Sequence, residues 1–173
     1  MVVHYKNFIS NNQIDELYYL WFESKMEHHF IRGNKYKLEL INLTEKTDEL
    51  KLEHTFESKY YNKLLLQSLD ESHKDSIYQQ RHHNHQNEWT SVIYLNDNYD
   101  GGEIEFKNGR VIKPSSGDMI YFSPNEFHRV LVPYNFKNET YNYNGNEYLI
   151  TKRISLVSFL NKDVMGISNK SVL

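Results

Sequence analysis

The stretch that decides the fold is EWTSVIYLNDNYDGGEIEF, residues 88–106. Its first part, Trp89 to Asn96, is rich in β-branched and aromatic residues, the composition of a buried strand. Asp97 to Gly102 then gathers Asn, Asp and two glycines, which end the strand and turn the chain. A second short strand follows in EIEF. The same rhythm of two, broken by turn residues, runs from about residue 75 onward. It is seen in SIYQQRHHNH (76–85), RVIKP (110–114), GDMIYFSP (117–124), EFHRVLVPY (126–134) and KRISLVSFL (152–160). Asn108–Gly109, between EIEFK and RVIKP, is a two-residue hairpin signal.

Upstream of residue 75 the pattern differs. In NNQIDELYYLWFESKMEHHF (11–30), Ile14, Leu17, Tyr18 and Trp21 form one stripe of a helix. Ser10 or Asn12 is placed to cap it, and Gly33 with Asn34 to end it. KYKLELINL (35–43) alternates like an edge strand. SKYYNKLLLQSL (58–69) places Tyr61, Leu65 and Leu69 one helical turn apart and predicts a second helix. The expected fold is mainly β with N-terminal helices, an all-β sandwich or a jelly roll with helical cover, of which the jelly roll, the double-stranded β-helix, is preferred. One domain over 1–173 is expected: 1–74 as helical and strand support, 75–161 as the core. Residues 134–148, polar and rich in Asn and Tyr, read as an inserted loop or hairpin, and the tail after Asn161 as loosely held.

Composition limits the function. The chain has 173 residues, 25% charged and 39% hydrophobic, with a formal net charge of −3. Nothing in that balance argues for nucleic acid or anionic lipid as a partner. Cysteine is absent, so any metal must be held by His, Asp or Glu. Neither a signal-peptide layout nor an apolar run of spanning length is visible, which predicts a cytoplasmic protein without membrane contact.

Three places carry chemistry. On an extended segment residues i and i+2 share a face, so His83 and His85 present adjacent imidazoles. With nine histidines in the chain, that pair alone is equally a polar strand end. His128 follows a buried strand and a proline bend, where a rolled sheet would bring it to the same open end. In KRISLVSFL, Arg153, Ser155, Val157 and Phe159 share one face, and Ile154, Leu156 and Leu160 the other. If the first face is interior, Arg153 is a buried cation that needs an anion, with Ser155 a second donor.

These segments, in this order, resemble the Fe(II)/2-oxoglutarate-dependent oxygenases, and the prolyl 4-hydroxylase-like branch in particular. The resemblance rests on H-x-H, YLN, GGE, G-D-x-I-x-F, a distal His and R-x-S, and runs from about residue 1 to 161. It implies His83 and His128 as iron ligands, and Arg153 with Ser155 and Tyr94 on the far carboxylate of 2-oxoglutarate. It also implies O2 as co-substrate and hydroxylation of an unactivated C–H bond. The substrate class is a prolyl or other protein side chain, or a small molecule; a nucleobase is least favoured. The usual acidic second ligand is replaced by His85. The registers His82-x-Asn84 and His85-x-Asn87, with Glu88 nearby, stay open. The insert at 134–148 lengthens the His128-to-Arg153 spacing. If it does not loop out, Arg129 competes for the carboxylate; it also has the option of lying over the site mouth. Competing readings are a three-His cupin-like metalloprotein that does not use 2-oxoglutarate, and a non-catalytic jelly-roll interaction domain.

Overall fold

In the computed structural model, which describes residues 1–24, 30–32, 36–46 and 56–167, two antiparallel sheets face one another. The larger has six strands. Their order is Val2–Tyr5, Met119–Phe122, Trp89–Tyr94, Arg153–Leu160, Tyr61–Leu69 and Leu40–Asn42. The smaller runs His128–Val130, Ile104–Phe106 and Val111–Ile112. The roll is mainly β, a jelly roll with helical cover on one side.

The strand from Arg153 separates two cores by simple alternation. Ile154, Leu156 and Leu160 join Leu64, Leu66, Ile93 and Met119 on the outer face. Val157 joins Val92, Tyr94, Ile104, Phe106 and Phe122 between the sheets, with Phe159 packed beside them. The outer core is closed by the helix Asn11–Glu23, which buries Ile14, Leu17, Tyr18, Trp21 and Phe22. Ser10 caps it: its hydroxyl accepts from Gln13 N at 3.3 Å, and Gln13 Oε1 accepts from Ser10 N at 2.8 Å.

Four expectations need correction. The helix ends at Glu23 with Ser24 as its cap, so Gly33 and Asn34, which lie outside the described residues, do not terminate it. Residues 61–69 form a strand, and only Ser58–Tyr60 are helical. The spacing of Tyr61, Leu65 and Leu69 was ambiguous, since i, i+4 and i+8 share a face on a strand as well as on a helix. Consecutive burial of Leu64, Leu65 and Leu66 marks a strand covered on both faces. In 76–85, Ile77–Gln80 forms one helical turn rather than a strand. Finally, the Asn108–Gly109 hairpin forms, but with a three-residue loop. Phe106 N bonds Arg110 O at 2.8 Å and Gly109 N bonds Phe106 O at 2.9 Å, with Gly109 at φ +88.

The insert folds as a hairpin, Thr140–Tyr143 against Asn146–Leu149, so the flanking core strands keep their register. Its tyrosines dock on the N-terminal helix. Tyr141 stacks on Phe22 at 5.3 Å, and Tyr148 meets the same ring at 5.1 Å. The tail is held as far as Ile167, which is buried. Asp163 accepts from the Tyr121 hydroxyl at 3.0 Å, and Val164 N donates to that hydroxyl.

Asn96 joins this frame to the site. Its Nδ2 donates to Lys152 O at 2.8 Å and to Asn98 Oδ1 at 2.7 Å, while its Oδ1 accepts from Ile154 N at 2.8 Å. The amide therefore grips the backbone on both sides of Arg153. Removing it in Asn96→Ala strands a buried N–H and carbonyl. That should destabilise the protein by about 2–3 kcal/mol, a melting-point loss of roughly 5–10 °C in calorimetry. A loss under about 1 °C would show the bonds to be dispensable.

Candidate metal and anion site

The chain arrives at the site through the Ile77–Gln80 turn, and His83 then pairs with His128. The pairing is reciprocal, His83 N to His128 O at 2.9 Å and His128 N to His83 O at 2.8 Å. Residues 45 positions apart in the chain are thereby opposed across one antiparallel rung. His85 follows two residues later, just before a tight turn closed by Glu88 N to His85 O at 3.1 Å. The ring centroids lie 4.5 Å (His83–His128), 5.1 Å (His85–His128) and 5.2 Å (His83–His85) apart. Each residue offers a nitrogen within 4.8 Å of the others, and this is the one such group of His or carboxylates found among the described residues.

His128 is set up as a lone-pair donor. Its Nδ1 lies 3.0 Å from Glu126 O, so it donates there and leaves Nε2 unprotonated. Burial, joined by the neighbouring imidazoles and opposed by that carbonyl, lowers its pKa to about 3. Apolar rings wall the cluster: Phe122 lies 4.6 Å from His128 and Phe159 4.7 Å from His85.

The other registers place their residues elsewhere. His82 turns to Glu105, with Nε2 3.1 Å from Oε1. Asn87 occupies the turn at φ +64. Arg129 is also committed to Glu105, through Nε and Nη2 at 3.1 Å each, and it donates to Gln80 O at 3.2 Å. Arg129 is therefore no rival to Arg153.

A cavity of about 110 Å³ joins the imidazoles to Arg153, lined also by Val92, Val157 and Phe122. No residue of 134–148 lines it, so the insert does not shape this chamber. Arg153 is 3% exposed. Among the described residues its one side-chain hydrogen bond is a long one, Nη1 to Gly102 O at 3.4 Å, and its guanidinium carbon sits 5.3 Å from the Tyr94 ring centroid. Among the described residues no carboxylate forms an ion pair with it. Gly102 is irreplaceable in this arrangement. It has φ +72, and a Cβ there would meet the Tyr99 ring at 2.5 Å.

Around the guanidinium lie further donors. Ser155 pairs with Tyr94 across adjacent strands. Tyr94 Oη, Ser155 Oγ and Arg153 Nε are buried without a hydrogen-bond partner among the described residues. So is Tyr99 Oη, which the sequence reading missed because Tyr99 sits in a turn segment with no periodicity to assign it a face. Burial raises the Tyr94 and Tyr99 phenols while Arg153 pulls them down; both remain protonated donors at neutral pH. The inner face thus holds three converging imidazoles at one end, and a cation with buried hydroxyls near it at the other.

This geometry has relatives. A family model described as the 2OG-Fe(II) oxygenase superfamily matches residues 61–161, more than half of the chain. Among curated proteins none matches the sequence. Solved structures share the fold at low identity. A Pseudomonas putida prolyl-4-hydroxylase aligns at 15% identity and TM-score 0.55, over 92% of this chain and 91% of its own. A viral collagen prolyl hydroxylase from Paramecium bursaria Chlorella virus-1, solved with 2OG, aligns at 14% and TM-score 0.56, over 92% and 94%. A non-heme alpha-ketoglutarate-dependent epimerase from nogalamycin biosynthesis aligns at 10% and TM-score 0.61, over 92% and 77%. With more than half its length matched by that family model, and its inner face built as described, the chain belongs to the 2OG-Fe(II) oxygenase superfamily.

Proposed function

We propose that the protein is an Fe(II)- and 2-oxoglutarate-dependent dioxygenase that hydroxylates an unactivated C–H bond. The observation that carries this reading is Arg153, a buried guanidinium with no counter-ion among the described residues, lining the same cavity as three converging imidazoles. Isolated buried charge is costly, so its retention points to a ligand that brings the anion. The residues fit the group. His83, His85 and His128 would hold the iron, a donor set suited to a first-row divalent metal. Arg153 would take the far carboxylate of 2-oxoglutarate, with Tyr94 and Ser155 donating to it.

When bound, iron, 2-oxoglutarate and O2 together supply the oxidising power of this family, giving succinate, CO2 and a hydroxylated product. The chain does the positioning. The Glu126 carbonyl fixes the His128 tautomer and the rung to His83 fixes the spacing. Val92, Val157, Phe122 and Phe159 give the chamber apolar walls. No side chain is assigned to proton transfer.

The proposed substrate is a prolyl or other protein side chain, with a small molecule as the alternative. Likeness of fold to two prolyl hydroxylases supports the first, and likeness to a biosynthetic epimerase keeps the second in play. A single domain over 1–173 and a cytoplasmic location complete the reading; no helix among the described residues is long and apolar enough to cross a membrane. A cupin-like three-His site, or a non-catalytic domain, would leave Arg153 and its hydroxyls buried for no ligand.

Three outcomes are expected. Arg153→Ala should abolish the thermal stabilisation given by 2-oxoglutarate, about 2.7 kcal/mol at a hundredfold excess over Kd, while leaving Mn(II) binding intact. Unchanged stabilisation would remove Arg153 from the site. Arg153→Met should melt higher than the parent when neither metal nor 2-oxoglutarate is present, because an uncompensated charge is gone; a lower melting point would mean that the cation has a protein partner. His83→Ala and His128→Ala should lose metal in equilibrium dialysis, whereas His85→Asp should keep it, since a carboxylate is an equally good donor. Failure of His85→Asp to hold metal would place the ligands in another register.

A further inference from the structure

A buried hydroxyl in the cavity is left unused by this account. Thr90 is 1% exposed and lines the chamber, and its Oγ1 has no hydrogen-bond partner among the described residues. Its position is well defined by register. Thr90 lies between Phe122 and Phe159 on the two flanking strands. Those are the phenyl rings packed against His128 and His85. Thr90 therefore belongs to the imidazole end of the inner face. Tyr94, beside the guanidinium, is four residues further along the same strand face, roughly 13 Å at 3.3 Å per residue. Ser91, equally buried and unpartnered, is on the opposite face and does not line the chamber.

We propose that Thr90 donates its hydroxyl hydrogen to the metal-bound carboxylate end of the co-substrate and so orients that end. The inference rests on the reading of the imidazole cluster as a metal site. An α-keto acid bound as its anion offers only acceptors, which a hydroxyl donor matches. A hydrogen bond to a charged acceptor in a dry chamber is stronger than one between neutral groups. An imidazole ligand brings no negative charge, so the co-substrate carboxylate is the anion on the metal side. Thr90 would determine which of its oxygens faces the metal. Without ligand, the hydroxyl is simply desolvated, which lowers the stability of the empty protein.

The test uses the full chain loaded with Mn(II) in place of iron, and titrates 2-oxoglutarate and pyruvate, which shares the keto-acid end but lacks the far carboxylate. Thr90→Val keeps the shape and removes the donor. It should weaken both ligands by the same factor, about tenfold, leave Mn(II) affinity unchanged, and raise the melting point of the metal-free protein. Thr90→Ser should restore binding. Arg153→Ala should lower affinity for 2-oxoglutarate alone. Equal affinity in Thr90→Val and parent would overturn the proposal. So would a loss confined to 2-oxoglutarate, which would put the hydroxyl at the far end, or a lower melting point, which would make it a structural group. A parent that binds neither Mn(II) nor 2-oxoglutarate would overturn the underlying site reading along with it.

Discussion

A guanidinium held in the interior with no carboxylate beside it among the described residues is the constraint around which this protein is arranged. Arg153 is 3% exposed, and within the described residues its side-chain hydrogen bonding is limited to a long contact with Gly102 O. Such a charge is tolerated only where the frame prevents the side chain from escaping. The frame is visible. Asn96 ties down the backbone at Lys152 and Ile154, and Leu69 and Gly102 lie alongside. The Tyr94 ring offers its face to the cation, a weak but desolvated attraction. What these groups do not supply is negative charge, and that deficit gives the cavity its chemical preference.

The other end of the chamber depends on backbone rather than on side-chain contacts. The His83–His128 rung crosses from the loop before the central strand to the small sheet, and its paired hydrogen bonds set the two imidazoles together. Beside it, Glu105 joins His82 and Arg129, the residues next to those histidines, into one rim network. Arg129 holds the Glu105 carboxyl below the usual range, so the network is charged at neutral pH. Each link is partly exposed and individually weak. They lie on both sides of the rung and join the small sheet to the loop.

Much of this was legible in the residues because the decisive strands have period two. The alternation in KRISLVSFL separates Arg153 and Ser155 from Ile154 and Leu156, and the same assignment holds in three dimensions. His83, His85 and His128 were picked out by type and order, and the fold brings them together. Tyr61–Leu69 was misread because a four-residue spacing fits a strand and a helix equally. The true end of the first helix, at Glu23, carries no glycine or proline to announce it. Tyr99 and Thr90 illustrate a different limit. A tyrosine in a turn or a threonine in a strand looks ordinary until the neighbours are known, and only burial without a partner singles them out. The insert's place on the outer helix was equally hidden, since its tyrosines match Phe22 by shape rather than by spacing.

The most direct test of the central claim is an anaerobic crystal structure of the full chain with Fe(II) and 2-oxoglutarate. The account predicts iron held by His83, His85 and His128, with one carboxylate of the diacid on Arg153 between the Tyr94 and Ser155 hydroxyls. Iron bound at other residues, or an Arg153 that stays without an anion while 2-oxoglutarate lies elsewhere, would contradict it.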